Sequence, residues 1–254
     1  LAKKNAGLRL TQHFSEKQTQ LAVLIDPDKA SNGHLEQLAS FAEEGFLQYF
    51  LVGGSLMFSN RHAFVIDYLK RSTTIPVIIF PGNPSQIYDK ADAILLLSLI
   101  SGRNADLLIG RHVEAAPALR SSGLEIISTG YILVDGGKAT TVSYISNTTP
   151  LPAHKPEIAA ATAMAGEMLG MHCIYLEAGS GALQPVPEEM IAAVRESVQI
   201  PLMVGGGIRH PEKAYKNAKA GANVIIMGNG VEANPLLVRE VAAALMEGSR
   251  IKNI

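Results

Sequence analysis

Three stretches near the end of the chain share one pattern: Cys173-Ile174-Tyr175-Leu176-Glu177-Ala178-Gly179-Ser180-Gly181, Pro201-Leu202-Met203-Val204-Gly205-Gly206-Gly207-Ile208 and Asn223-Val224-Ile225-Ile226-Met227-Gly228-Asn229-Gly230-Val231. Each opens on a short apolar run, the mark of a strand buried on both faces in a parallel sheet. Each then closes in glycine, which permits left-handed backbone and close approach of amides to an anion. Amphipathic segments over residues 188–197 and 212–220 separate them and read as helices. One glycine turn after a strand is a weak signal, because such turns favour glycine for packing. Three in succession predict a phosphate site at the C-terminal ends of the last strands.

Five further strands are read upstream, at residues 21–25, 49–52, 77–80, 93–97 and 125–129. Helices are expected from Ser31 or Asn32 to Glu44, and over about 60–70, 104–119 and 159–170, with a last one starting at Pro235 behind an Asn234 cap. Only Pro81 to Asp92 separates the third and fourth strands, so the third helix should be short or irregular. Tyr131-Ile132-Leu133-Val134 and Thr140-Thr141-Val142-Ser143-Tyr144 flank Asp135-Gly136-Gly137, which suggests a hairpin or extended loop over about 131–148. Eight strands interleaved with helices, without a dividing linker or a strong internal repeat, place the chain in the α/β class. The expected architecture is a single (β/α)8 TIM-barrel domain over residues 1–254.

The 254 residues are 47% hydrophobic and carry 22 basic against 23 acidic side chains, a net charge of -1. No Lys/Arg run gives a nucleic-acid footprint, and no nucleic-acid partner is expected. The single cysteine, Cys173, excludes an intramolecular disulfide and a cysteine-cluster metal site; it reads as a buried small hydrophobe in a reducing compartment. Leu1-Ala2-Lys3-Lys4-Asn5 has no signal-peptide core and no apolar run reaches membrane-spanning length, so a cytoplasmic location is expected.

Glu177, at the C-terminal end of the sixth strand, is the candidate general base; the other reading is a carboxylate that only positions a hydroxyl or caps the turn. Tyr175 either orients substrate or fills the core. Arg209 either reaches a second phosphate or is a solvated residue at a helix start. Asp26, in Asp26-Pro27-Asp28-Lys29, either holds Mg2+ shared with phosphate oxygens or caps the following helix, with Ser55 as the neighbouring oxygen. No HExxH or His/Cys cluster supports zinc. The same loops would also suit a phosphosugar isomerase or aldolase, but no strand-end lysine fits a Schiff base.

The segments Leu24-Ile25-Asp26-Pro27-Asp28-Lys29, Val52-Gly53-Gly54-Ser55, Phe80-Pro81-Gly82-Asn83, Tyr175 through Gly181, Gly206-Gly207-Ile208 and Gly228-Asn229 together resemble the geranylgeranylglyceryl phosphate synthases, within the wider prenylglyceryl phosphate synthase family. They span nearly the whole chain and resemble the second of that family's two sequence groups. Leu24 stands where the first group typically has lysine, and Ala178 where relatives often have tyrosine. The resemblance implies a transferase of lipid biosynthesis, moving a geranylgeranyl group from geranylgeranyl diphosphate to the 3-hydroxyl of sn-glycerol 1-phosphate with release of pyrophosphate. It further implies Mg2+ at Asp26 and Ser55, and glycerol-phosphate contacts from Tyr175, Leu176, Glu177, Ala178, Gly179, Ser180, Gly181, Gly206, Gly207, Gly228 and Asn229. Glu177 would hold or deprotonate the attacking hydroxyl. A homo-oligomer, dimer or hexamer, and transient contact with a membrane surface complete these expectations.

Overall fold

Along β1 (Gln20–Ile25), Leu21, Val23 and Ile25 pack in one apolar layer while Ala22 and Leu24 belong to another. That two-residue alternation recurs in β2 (Tyr49–Gly53), β3 (Val77–Phe80), β4 (Ala93–Leu99), β5 (Glu125–Leu133), β6 (Cys173–Glu177), β7 (Leu202–Gly205) and β8 (Val224–Met227). One set fills the interior of a cylinder, the other packs beneath the surrounding helices. All neighbouring strands are parallel, and β1 pairs with β8 through Gln20↔Val224 to Val23↔Met227, closing an eight-stranded barrel. The structure, a computed structural model, describes residues 10–16 and 18–251, with side chains up to residue 247. The opening residues 1–5 lie outside it.

The N-terminal end of the barrel is plugged. The short α1 (Leu10–His13) and Phe14 enter the interior layer, with the Phe14 ring edge-on to Tyr49 at 5.1 Å between centroids. Burying Phe14 stabilises the plug by about 2 kcal/mol. Tyr49 Oη donates to Gln20 Oε1 (2.9 Å) and Gln20 Nε2 to the His13 carbonyl (2.8 Å), which pairs these two buried side chains. The open end is therefore the C-terminal one.

Outside run α2 (Asn32–Glu43), whose Ser31 cap accepts the His34 amide at 3.2 Å, and α3 (His62–Ser72). Between β3 and β4 there is only a 3-10 turn, Pro84–Gln86, in line with the brevity of that connection. Asn83 caps this turn, and the buried Gln86 side chain accepts the Gly82 amide at 2.7 Å. The β3–β4 seam is short, with Ile78↔Ala93 and Ile79↔Ile94 as its registered pairs. A π-helical turn, Asp106–Gly110, leads into α4 (Arg111–Ser122).

The hairpin reading of residues 131–148 is corrected. Tyr131, Ile132 and Leu133 continue β5, held by long registers against both β4 and β6. Thr140 and Ser143 form a reciprocal capping box that starts α5 (Thr141–Ile145), so local capping overrides the β-propensity of that run. The residues from Asp135 to Thr140 remain a loop. Beyond it lie α6 (Pro156–Met168), α7 (Glu188–Ser197), α8 (Pro211–Lys219), a short α9 (Asn229–Ala233) and α10 (Leu237–Ile251). The last helix starts at Leu237, two residues past the expected Pro235, and Asn234 Oδ1 accepts the Leu236 amide (3.2 Å) at its start, the capping role expected of Asn234.

Candidate active site

Inward parity on β6 selects Cys173, Tyr175 and Glu177. Cys173 is fully buried with its Sγ 3.3 Å from Thr129 Oγ1, and burial pushes the thiol up to about 12, so it is an inert core residue. Glu177 sits at the strand's mouth end, only 6% exposed. Its Oε2 accepts a short hydrogen bond from Tyr175 Oη, and its Oε1 accepts the Gly179 amide at 2.7 Å. Burial holds the Glu177 carboxyl above the ordinary glutamate range, although both hydrogen bonds pull the other way. Burial likewise raises Tyr175 and Tyr131 well above an ordinary phenol, reinforced by the Glu177 charge. The Tyr175 ring packs against Tyr131 at 5.4 Å and Phe80 at 5.9 Å, which fixes its hydroxyl direction.

Glycine makes this arrangement possible at two particular positions. A Cβ on Gly205 would strike Tyr175 Oη, and one on Gly206 (φ +81°) would strike Glu177 Oε1. The β7 loop thus lies directly against the carboxylate. On the β8 side, Asn229 Oδ1 accepts Ser180 Oγ at 2.7 Å, linking the β6 and β8 loops across the mouth. The resulting cleft of about 320 Å³ is lined by Glu177, Ser180, Gly181, Gly206, Gly207, Gly228 and Asn229, with Asp26 and Ser55 on its other side.

The two carboxylates after β1 diverge. Asp26 faces the cleft and lies 3.1 Å from Lys29 Nζ. Asp28 instead accepts the Phe58 amide (2.6 Å), the Ser59 amide (3.1 Å) and a short bond from the Ser59 hydroxyl. The Ser59 hydroxyl, then the Phe58 amide, hold its carboxyl below the ordinary range. Asp28 therefore anchors the β2 loop that carries Ser55. Among the described residues, no group of three or more His, Cys, Asp or Glu side chains converges as a metal centre. One carboxylate beside one hydroxyl suits a hard cation that draws its other ligands from phosphate and water.

A second cavity, about 390 Å³, adjoins the first and shares Ser55, Leu56, Phe80, Tyr131 and Val142 with it. It passes Leu97 and Leu99 at the mouth, then Ile94 and Leu96 on the outer side of β4, bounded by Ile87, Ala115 and Leu119. This is the space a full third helix would occupy. The missing helix has left an apolar groove.

The sequence-selected residues fall into two sets. Tyr175, Glu177, Ser180, Gly181, Gly206, Gly207, Gly228, Asn229, Asp26 and Ser55 share the cleft, while Gly179 serves it through its amide to Glu177. Leu176 and Ala178 have the opposite parity and bury their side chains in the outer core, which leaves only their backbone to face the cleft. Arg209 lines the cleft but donates to the Ala182 carbonyl at 3.0 Å. Sequence reasoning missed Phe80, Tyr131 and Glu232 as cleft residues. The first two carry a usable signal, inward parity at a strand's mouth end; Glu232 carries none, because nothing in its neighbourhood foretells α9.

Fold and site together define a (β/α)8 barrel with a glycine-lined anion cradle, a buried carboxylate beside it and an apolar groove opening into the same mouth. The PcrB family model matches residues 13–246. The geranylgeranylglyceryl phosphate synthase of Spirosoma linguale is 56% identical over 226 residues, 89% of this chain and 91% of that one. The same-named protein of Chitinophaga pinensis is 53% identical over 224 residues, 88% and 89% of the two chains. The crystal structure of (S)-3-O-geranylgeranylglyceryl phosphate synthase from Thermoplasma acidophilum, in complex with its substrate sn-glycerol-1-phosphate, is 31% identical, with a TM-score of 0.87 over 93% of this chain and 97% of that one. The chain belongs to the PcrB family.

Proposed function

We propose that the protein transfers a geranylgeranyl group from geranylgeranyl diphosphate to the 3-hydroxyl of sn-glycerol 1-phosphate, forming the ether-linked glyceryl phosphate and releasing pyrophosphate. The observation that carries this reading is the position of Glu177, fixed by Tyr175 and Gly179 beside the glycine loops, in a cleft that shares Phe80 and Tyr131 with the groove beside β4. The names of the close relatives and the ligand of the Thermoplasma acidophilum structure support the same substrates.

In this reading the acceptor's phosphate lies against the Gly206-Gly207 and Gly228-Asn229 loops, where backbone amides neutralise it at little conformational cost. Glu177 accepts the proton of the attacking hydroxyl; its raised affinity for protons suits it to that task at neutral pH. The polyprenyl tail occupies the groove beside β4, along the apolar stretch of Phe80, Ile87, Leu96, Leu97, Leu99 and Tyr131. Asp26 and Ser55 would hold Mg2+, which supplies charge neutralisation of the departing diphosphate. Asp26→Ala is expected to raise the Mg2+ requirement sharply; an unchanged Mg2+ titration would remove Asp26 from the metal site.

Among the described residues no helix is long and apolar enough to cross a membrane. A cytoplasmic protein that meets membrane surfaces transiently, as a homo-oligomer, completes the reading. A panel of C15, C20 and C35 diphosphates, offered with sn-glycerol 1-phosphate or its 3-phosphate enantiomer, tests it. Product from the C20 donor and the 1-phosphate is expected; no product from any pair would overturn it.

A further inference from the structure

Asp26 enters the cleft with both carboxylate oxygens engaged. Its Oδ1 accepts the Asp28 amide at 3.0 Å, and its Oδ2 lies 3.1 Å from Lys29 Nζ. Lys29 also reaches Glu232 Oε2, 3.4 Å away on α9, so one ammonium bridges carboxylates from the neighbouring loops after β1 and β8. The Lys29 side chain is 51% exposed, against 25% for Asp26 and 22% for Glu232. The cation is thus the loosest and wettest member of the trio, on a flexible four-carbon stem. A divalent ion cannot take Oδ2 while the ammonium holds it, because two cations at that spacing repel.

Resting on the prenyl-transfer reading above, we propose that Lys29 is a displaceable counter-ion guarding Asp26: it competes with a lone divalent cation and yields when a diphosphate arrives with the metal. Glu232 is the pivot. Lys29 turns about it from Asp26 toward the cleft and donates to a diphosphate oxygen, a charge-assisted bond stronger than the exposed ion pair it leaves. Partial burial opposes charge on Lys29, but the bond to Asp26 and the field of Glu232 keep it firmly protonated, so it is a cation throughout. Metal and diphosphate then bind cooperatively, which keeps a bare ion from occupying the site unproductively.

Calorimetric titration of the whole chain with Mn2+ alone, and with pyrophosphate in the presence of Mn2+, tests this without any prenyl substrate. Lys29→Met should tighten Mn2+ alone by roughly two- to fivefold, the scale of an exposed ion pair. It should weaken pyrophosphate by about tenfold, the scale of a charge-assisted hydrogen bond. Arg209→Met removes a cleft cation bonded to the Ala182 carbonyl rather than to Asp26, and should leave Mn2+ binding as it is. Unchanged or weaker Mn2+ binding in Lys29→Met, equal tightening in Arg209→Met, or undiminished pyrophosphate affinity would each overturn the proposal. Failure of the wild type to make product would instead count against the prenyl-transfer reading and leave these titrations to judge Lys29.

Discussion

The two sides of the barrel mouth are built by opposite means. On the β6–β8 side the working surface is backbone: Gly179, Gly206 and Gly207 take positive φ, and a Cβ at Gly206 would overlap Glu177. On the β3–β5 side it is side chains around a vacated helix position, lining the groove beside β4 with Phe80, Leu96, Leu97 and Tyr131. The first design is set by backbone, so a side chain added at Gly205 or Gly206 would meet Tyr175 or Glu177. The second is shaped by volume and tolerates exchange of one apolar group for another. A barrel can thus be specific at a phosphate and permissive along a hydrocarbon.

The largest expected effect lies at the carboxylate beside the glycine loops. Glu177→Gln should lower turnover by about a hundredfold or more while changing glycerol-phosphate affinity little; equal losses of rate and affinity in steady-state kinetics would make Glu177 a binding residue. Next comes the cradle itself. Gly206→Ala should cost about 1–2 kcal/mol from the left-handed backbone alone, and should also weaken glycerol-phosphate binding in calorimetry. Gly54→Ala, in the loop after β2, has open space at its Cβ and no positive φ, and should melt like the wild type. If both behave alike, backbone geometry at Gly206 is not what shapes the β6–β8 side.

A smaller, selective effect is expected in the groove. Ile145→Asp, on the half-exposed rim of α5, should raise KM for the prenyl diphosphate several-fold, consistent with losing about 1 kcal/mol of apolar burial. It should leave glycerol-phosphate binding unchanged. The smallest effect concerns stability. Because burial raises the Glu177 carboxyl, the folded chain keeps a proton that the unfolded chain releases. Stability from this group therefore falls as pH rises from the ordinary glutamate value through the raised one. Glu177→Gln should melt at or above the wild-type temperature at pH 8, with the difference shrinking toward pH 4; the reverse trend in melting scans would contradict a desolvated carboxylate.

Much of this was legible in the chain because parallel strands buried on both faces leave apolar runs, and mouth loops near an anion need glycine. The eight strands, the short connection after β3 and the cleft positions of Glu177, Asp26 and Ser55 all follow from such signals. Less legible was anything set by long-range pairing or local capping. Tyr131 to Leu133 read as part of a hairpin because their partners, in β4 and β6, are remote in sequence. The outer-core packing of the Leu176 and Ala178 side chains is similarly hidden, because contiguity in a motif masks strand parity. The Lys29–Glu232 contact joins residues 203 positions apart, and no local pattern announces it.

The most direct measurement is pyrophosphate release with geranylgeranyl diphosphate and sn-glycerol 1-phosphate supplied together, and with each supplied alone. Release that requires both, with an ether-linked product in matching amount, is expected if Glu177 activates a hydroxyl held in the cradle. Release at the same rate from the prenyl diphosphate alone would show that water, not the cradled hydroxyl, is the acceptor, and would contradict the assignment of the two sides.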